Sequence, residues 1–476
     1  MNPCTYENFD ITIQGDSRPY LTTLAYRGQN AEGKFDQDIT LPDWQKFDGH
    51  ADRGRSLPAA SGVGIAKQGS DLFRALIHAD LRDLWVTAQS ELDRRQVTGL
   101  RVRLIMRPPA VAALPWEILR DPDRRRTLAA NKRILLVRME TLQRYVGAPQ
   151  PLVATLPLKL LLALPTDPTG QIDAAAEEEG IRTGLAGLAA DRIHLTVLRG
   201  RFDVLELGQA LERQRPDLLH IVTHGIPDGL LLWQEDEPTL VSPDSLRTAL
   251  EWTDAVKLVV LNACQTARSA TDAPLASLGA HLLQTGLPAV IAMQFPIQDQ
   301  AAIRFSRLLY TSLIDGECAG RVDVAVAQAR SGLFALNSQD TSFGAPVLWL
   351  NAPDGVIFNL PTQAKPGGGA EKLALSASAD PLPENQEMDT EALVAWIESL
   401  RQRPPSRFSG DLKLLATQQH DVLTDLHQNL SQLQGLYLRR RRGDLLSSPI
   451  RRLEETIMGQ QEIVRRLETM IQANLG

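Results

Sequence analysis

Two places in the sequence put reactive side chains directly after buried-looking apolar runs. His224-Gly225 follows LLHIVT, and Asn262-Ala263-Cys264 follows VKLVVL. Imidazole and thiol together suffice for acyl transfer: a thiolate attacks a carbonyl while the imidazole manages the protons of the thiol and of the leaving amine. Gly225 removes a side chain where a substrate carbonyl would lie, so the backbone N–H groups of Gly225 and Cys264 form the expected oxyanion hole. Such a site needs neither a metal nor a cofactor.

Other polar residues read differently. His220, four residues before His224 on the same strand, and His194, in the middle of another strand, read as packed strand residues. Asp228 and Asp299 are acidic groups in loops close to the expected cleft, where a carboxylate otherwise serves as a helix cap or a solvated turn. Cys4 and Cys318 have no histidine-bearing motif around them. The arginine run 439 to 442 reads as a solvated loop.

The elements that must carry the pair alternate between apolar strands and helical patterns from 157 to 350. Strands are expected at 158 to 165, 192 to 198, 218 to 224, 256 to 264, 288 to 294 and 345 to 351. Helical patterns at 171 to 189, 243 to 251, 274 to 284, 299 to 314 and 322 to 336 make crossover units and a mainly parallel sheet. Ligands meet such sheets at the carboxyl ends of their strands, so His224 and Cys264 should emerge on one edge. Before this, residues 1 to 150 predict an α+β lobe. It begins with an antiparallel hairpin over 9 to 26, continues with one helical stripe from Ser70 to Arg95, and adds strands at 100 to 106 and 133 to 139.

Residues 361 to 388 form a Pro-, Gly- and Ser-containing linker. Within 389 to 476 two heptad-spaced sets follow, from Leu412 to Tyr437 and from Ile450 to Ile471, predicting an antiparallel coiled-coil hairpin. Its outer face is free for a recruiting or regulatory protein, or for a second copy of the chain.

Composition excludes several classes. Across 476 residues, 43% are hydrophobic and 22% charged, which is globular rather than disordered or collagen-like. A formal charge of −7 argues against a general grip on nucleic acid or an anionic membrane. No apolar run reaches the ~18 residues of a membrane span. Three widely spaced cysteines are too few for a disulfide framework, so a reducing, cytoplasmic setting is expected. No glycine-rich phosphate loop follows any strand, which disfavours a nucleotide switch.

Four blocks, HIVTHG at 220 to 225, LNACQTA at 261 to 267, GLPAVIAMQFPIQDQAA at 286 to 302 and GAPVLWLNAPDGVIF at 344 to 358, resemble in order and spacing those of the CHAT family. These are caspase-like cysteine peptidases related to separase. LPWEIL at 114 to 119 resembles a block in the N-terminal half of many such proteins. The sequence departs at Gln294-Phe295, where many members carry Trp, and at VLWLN, where their aromatic block is longer; both bear on substrate preference. The resemblance implies a caspase-like α/β peptidase domain over 151 to 360, with His224 as catalytic histidine, Cys264 as nucleophile and Gly225 as oxyanion donor. Asn262 shapes the turn. It further implies a protein substrate cut after Arg or Lys, with Asp299, or else Asp228, as the pairing carboxylate, and a bacterial defence or signalling setting. The competing reading is a scaffold with a peptidase fold and a dispensable dyad; intact His224 and Cys264 argue against it.

Overall fold

The computed structural model describes residues 4–36, 62–94, 97–139, 152–153, 156–170, 172, 174–186, 188, 191–226, 229–263, 278–294, 297, 299–338 and 341–360, together with single helical residues between 394 and 464. The chain divides into two compact units, Met1–Ala364 and Lys365–Gly476.

The first unit opens with β1 (Tyr6–Gln14), β2 (Tyr20–Tyr26) and β3 (Gln29–Phe35), an antiparallel meander. Helices α1 (Gly62–Leu76) and α2 (Ala79–Arg94) follow. The single stripe expected from Ser70 to Arg95 is thus two helices. Its apolar face stays continuous, but Ala79 takes a left-handed φ of 44°, which breaks the backbone between them. Next come β4 (Gly99–Met106), the one-turn α3 (Pro109–Ala112), a 3₁₀ turn over Trp116–Ile118, the ribbon β5 (Arg120–Asp121) and β6 (Arg126–Thr127), and β7 (Ile134–Arg138).

After the short β8 (Leu152–Val153), the order is β9 (Leu158–Pro165), α4 (Ala174–Leu185), β10 (Ile193–Gly200), α5 (Val204–Gln214), β11 (Leu218–Val222), β12 (Gly225–Ile226), β13 (Gly229–Gln234), β14 (Glu237–Val241), α6 (Pro243–Leu250), β15 (Leu258–Asn262), α7 (Leu278–Leu283), β16 (Ala289–Met293), α8 (Asp299–Asp315), α9 (Val322–Leu336), β17 (Pro346–Leu350) and β18 (Phe358–Asn359). Local chemistry fixes several helix starts. Asp203 and Glu206 close a reciprocal capping box on α5, and Ser242 accepts the Ser245 N–H at the start of α6, with Pro243 in the first turn.

One 11-stranded sheet runs in the order β10-β9-β11-β15-β16-β17-β7-β4-β1-β2-β3. It is parallel except for β17 against β16 and the terminal meander. The strands from 6 to 138 therefore extend the sheet that carries 158 to 350, and the N-terminal segment expected as a lobe of its own is part of the same compact unit. Strands buried on both faces read as unbroken apolar runs, and LKLLLALP in β9 shows it. Leu158, Leu160, Leu162 and Leu164 join the core beneath α1, α2, α4, α8 and α9, whereas Leu161 and Ala163 join a second core beneath α5, α6 and α7.

Two buried ion-pair networks hold the N-terminal strands to the rest. The Arg101 guanidinium binds Asp323 (Nε to Oδ2, 2.7 Å), Asn8 (2.9 Å) and the Asp354 carbonyl (2.6 Å). Gly355, at φ +76°, packs on that carboxylate where a Cβ would collide with it. The second network centres on Glu117 of the LPWEIL block. Its carboxylate accepts from Arg138 (3.0 and 2.6 Å) and Gln294 (2.9 Å), and Gln294 also donates to the Gly344 carbonyl (2.5 Å).

Cys4 and Cys318 form a disulfide across a sequence separation of 314. This corrects the expectation drawn from cysteine number and spacing. Separation along the chain does not measure separation in space, and the sheet brings the start of β1 beside the loop before α9, where both sulfurs share a small core with Leu135, Val324 and Ala327. The cysteine argument for a reducing compartment falls with it. Among the described residues, no helix is long and apolar enough to cross a membrane.

In the second unit, Leu423, Leu426, Leu430 and Leu433 of the first heptad set and Ile457 and Val464 of the second are helical and buried in one cluster. Ile397, from a segment preceding both sets, is buried with them.

Candidate active site

The carboxyl ends of β9, β11 and β15 lie at one edge of the sheet because these three strands are parallel neighbours. Register makes β11 and β15 end together: Leu218 pairs with Leu258, Val222 with Asn262, and the Thr223 N–H reaches the Asn262 carbonyl at 3.4 Å. His224 therefore stands two residues past the last pair on β11. Cys264 is two residues past Asn262 in sequence and lies outside the described residues, as does Asp228. Asp299 opens α8, and its side chain is likewise outside the described set.

The third strand supplies a partner that the sequence reading passed over. Just beyond β9, Asp167 Oδ1 lies 3.0 Å from His224 Nε2, and the Thr169 hydroxyl lies 2.9 Å from the same nitrogen. The carboxylate also organises its own loop. It accepts the Thr169 N–H and Oγ1–H on Oδ1 (both 2.8 Å) and the Ile172 N–H on Oδ2 (2.7 Å). Burial pushes the Asp167 carboxyl up, but the amides of Ile172 and Thr169, the Thr169 hydroxyl and the charge of His224 outweigh it and hold the group at about 2. An ionised carboxylate only accepts, so Nε2 is the nitrogen that donates, and in the neutral ring the lone pair then falls on Nδ1. The Asp167 side chain is 7% exposed and that of His224 32%, so the pair is shielded on one side and open on the other.

A small antiparallel sheet, β12-β13-β14, brackets the histidine. The Leu231 N–H donates to the His224 carbonyl (3.0 Å) and Thr223 Oγ1 donates to the Leu231 carbonyl (2.7 Å). Residue 224 thus turns its backbone toward β13. By strand alternation the N–H of Gly225, paired with Leu230, faces away from it. Trp233 Nε1–H donates to the Thr166 carbonyl (2.8 Å) beneath an Arg201 guanidinium 4.4 Å from its ring, and so fixes the residue before Asp167.

Below the edge lie buried polar groups. Asn262 Nδ2 donates to Glu177 of α4 (2.5 Å), so its amide ties the end of β15 to a crossover helix. His220 is fully buried, with Nδ1 2.8 Å from the Tyr310 hydroxyl; burial pulls the imidazole down to about 3 and keeps it neutral. Burial and then the charge of Glu177 push Tyr310 up. His194 departs from its expected packing: β10 is an edge strand, and His194 is exposed on it.

The family model for the CHAT domain matches residues 66–399, and the chain belongs to that family. Among solved structures it is similar to the Saccharomyces cerevisiae separase–securin complex, at 11% identity over 72% of this chain and 30% of that one, with a TM-score of 0.43. It is also similar to a secreted C11 cysteine protease from Bacteroides thetaiotaomicron in complex with an irreversible peptide inhibitor, at 12% identity over 38% of this chain and 59% of that one, with a TM-score of 0.27. This chain thus spans less than two thirds of either. No curated protein matches the sequence.

Proposed function

We propose that this protein is a cysteine endopeptidase that cleaves protein substrates with His224 and Cys264. The observation that carries the reading is the shielded, ionised Asp167 on Nε2 of a partly exposed His224, just past a strand in register with the one that leads to Cys264. In this scheme Nδ1 takes the thiol proton, and the thiolate adds to the scissile carbonyl. The N–H groups of Gly225 and Cys264 hold the oxyanion, and the imidazolium returns its proton to the leaving amine. Water then hydrolyses the thioester with the same nitrogen as base. Asp167 stabilises the imidazolium through both steps without taking the proton, since it stays ionised.

Cleavage after Arg or Lys, with Asp299 or Asp228 pairing the substrate cation, belongs to this proposal, as does recruitment of a protein partner by the C-terminal helices. To test the activity, the wild type, Cys264→Ala and His224→Ala are each incubated with a proteome and new N-termini are labelled. Cuts that appear with the wild type alone, clustered after basic residues, are expected. Equal cleavage by Cys264→Ala would sink the reading. A wild-type preference for acidic or apolar residues would remove the two aspartates from it.

A further inference from the structure

The segment that follows LPWEIL is the run Arg120-Asp121-Pro122-Asp123-Arg124-Arg125-Arg126. Folded into the β5–β6 ribbon, it sorts its charges onto two sides. Both carboxylates turn toward α2: Asp121 accepts from Trp85 Nε1 (3.2 Å), Gln89 Nε2 (3.4 Å) and the N–H groups of Asp123 and Arg124, and Asp123 pairs with Arg82. On the other side Arg120, Arg125, Arg126 and Lys132 line a cavity of about 890 Å³, with no carboxylate among the described residues of its wall. Arg125 is held at φ +52°, a left-handed turn position that glycine or asparagine fills more easily.

Four cations thus converge on one concavity in a chain whose formal charge is −7, and none of Arg125, Arg126 and Lys132 is paired with a carboxylate among the described residues. Guanidinium forks match phosphoryl oxygens two at a time, and concave walls focus the field of like charges on an anion inside. The volume falls in the range of organic ligand sites and exceeds what a lone phosphate fills. Phe334, held edge-on by Phe343 at 5.0 Å, gives the same cavity an aromatic wall. We propose that this cavity binds a small organic molecule carrying two or more phosphoryl groups, with the phosphoryl groups on the arginines and the organic part against Phe334. An open concavity bounded by the ribbon, the 130–132 turn and two helices fits a small molecule better than a nucleic-acid backbone, which the overall charge also disfavours.

The test is calorimetric titration of the full chain with sodium tripolyphosphate and with ATP as probes, at ionic strength matched with NaCl. Saturable one-to-one binding of both is expected. Arg125→Ala/Arg126→Ala should weaken both at least tenfold, whereas Arg125→Lys/Arg126→Lys, which keeps the charges, should lose less. Phe334→Leu should weaken ATP several-fold and leave tripolyphosphate unchanged. Equal affinity in the alanine variant, complete displacement by sulfate at matched ionic strength, or no saturable binding to the wild type would each overturn the site. Because binding is read directly, the result does not depend on whether the chain cleaves peptides.

Discussion

Asp167 does two jobs with one carboxylate. It ties the 167–172 loop through two amides and holds Nε2 of His224, so the loop and the imidazole share an anchor. As a positioning residue it should act on turnover and not on substrate affinity. Asp167→Asn is expected to lower kcat on a peptide substrate by about a hundredfold with KM little changed. The carboxyl group is held at about 2 in the fold against 3.8 for the free group, so its stabilisation is present above the unfolded value and is lost as pH falls through the folded one. Acid unfolding followed between pH 4 and 2 should therefore be shallower in the variant. His220 has the complementary behaviour. A base whose folded value is pulled down to about 3 stays neutral while the unfolded chain takes up its proton below about 6.5, so stability falls across that window as pH drops. His220→Gln, which can still accept from Tyr310, should remove up to one proton's worth of that slope, about 1.4 kcal/mol per pH unit, in urea unfolding at pH 7 and 5. His224 and Asn262 were legible because polar residues stood at the ends of apolar strands. Asp167 stands at the end of an equally apolar strand, LKLLLALP, and the same rule applied to all three strands points to it; only TDPT, which reads as an ordinary turn, concealed it.

At the scale of elements, the resemblance of separate blocks acquires a mechanical reason. LPWEIL supplies Glu117 to Arg138 of β7 and to Gln294 at the end of β16, and Gln294 reaches Gly344 just before β17, so one buried carboxylate joins four segments. A partner removed from such a network leaves buried cations unpaired, and burial already pulls Arg330, 3.9 Å from Glu117, down to about 10. Glu117→Ala should cost about 3–5 kcal/mol in chemical unfolding. Glu117→Gln, which keeps one acceptor, should cost less. None of this is readable from spacing, because the partners lie 21 and 177 residues apart. The β13–β14 hairpin escaped for a local reason: its turn is Glu235-Asp236, both at positive φ, where the familiar signal is Asn-Gly. The individual strands and the cap at Ser242, by contrast, follow from sequence chemistry that involves only near neighbours.

At the scale of the whole molecule, the proposed reading assigns chemistry to the first of the two compact units and association to the second. A chain ending at Ala364 should stay folded and keep its activity on a small peptide while losing any self-association seen by light scattering; loss of all folded protein would contradict this. The cysteines make a second prediction at the same scale. Of three in the chain, Cys4 and Cys318 are bonded to each other, leaving Cys264 as the remaining thiol. Denatured without reductant, the protein should take up one alkylating label, at Cys264, and after reduction three, as read by mass spectrometry. The Cys4–Cys318 bond also closes most of the polypeptide into a covalent ring, with His224, Cys264 and the LPWEIL block inside it and the C-terminal helices outside. A single proteolytic nick within the ring opens the circle but releases nothing, and the two pieces part only when the bond is reduced. A nick beyond residue 318 leaves a fragment with no covalent tie to the ring. Any maturation cut in this chain would thus declare its side of Cys318 by whether a gel run without reductant shows one band or two.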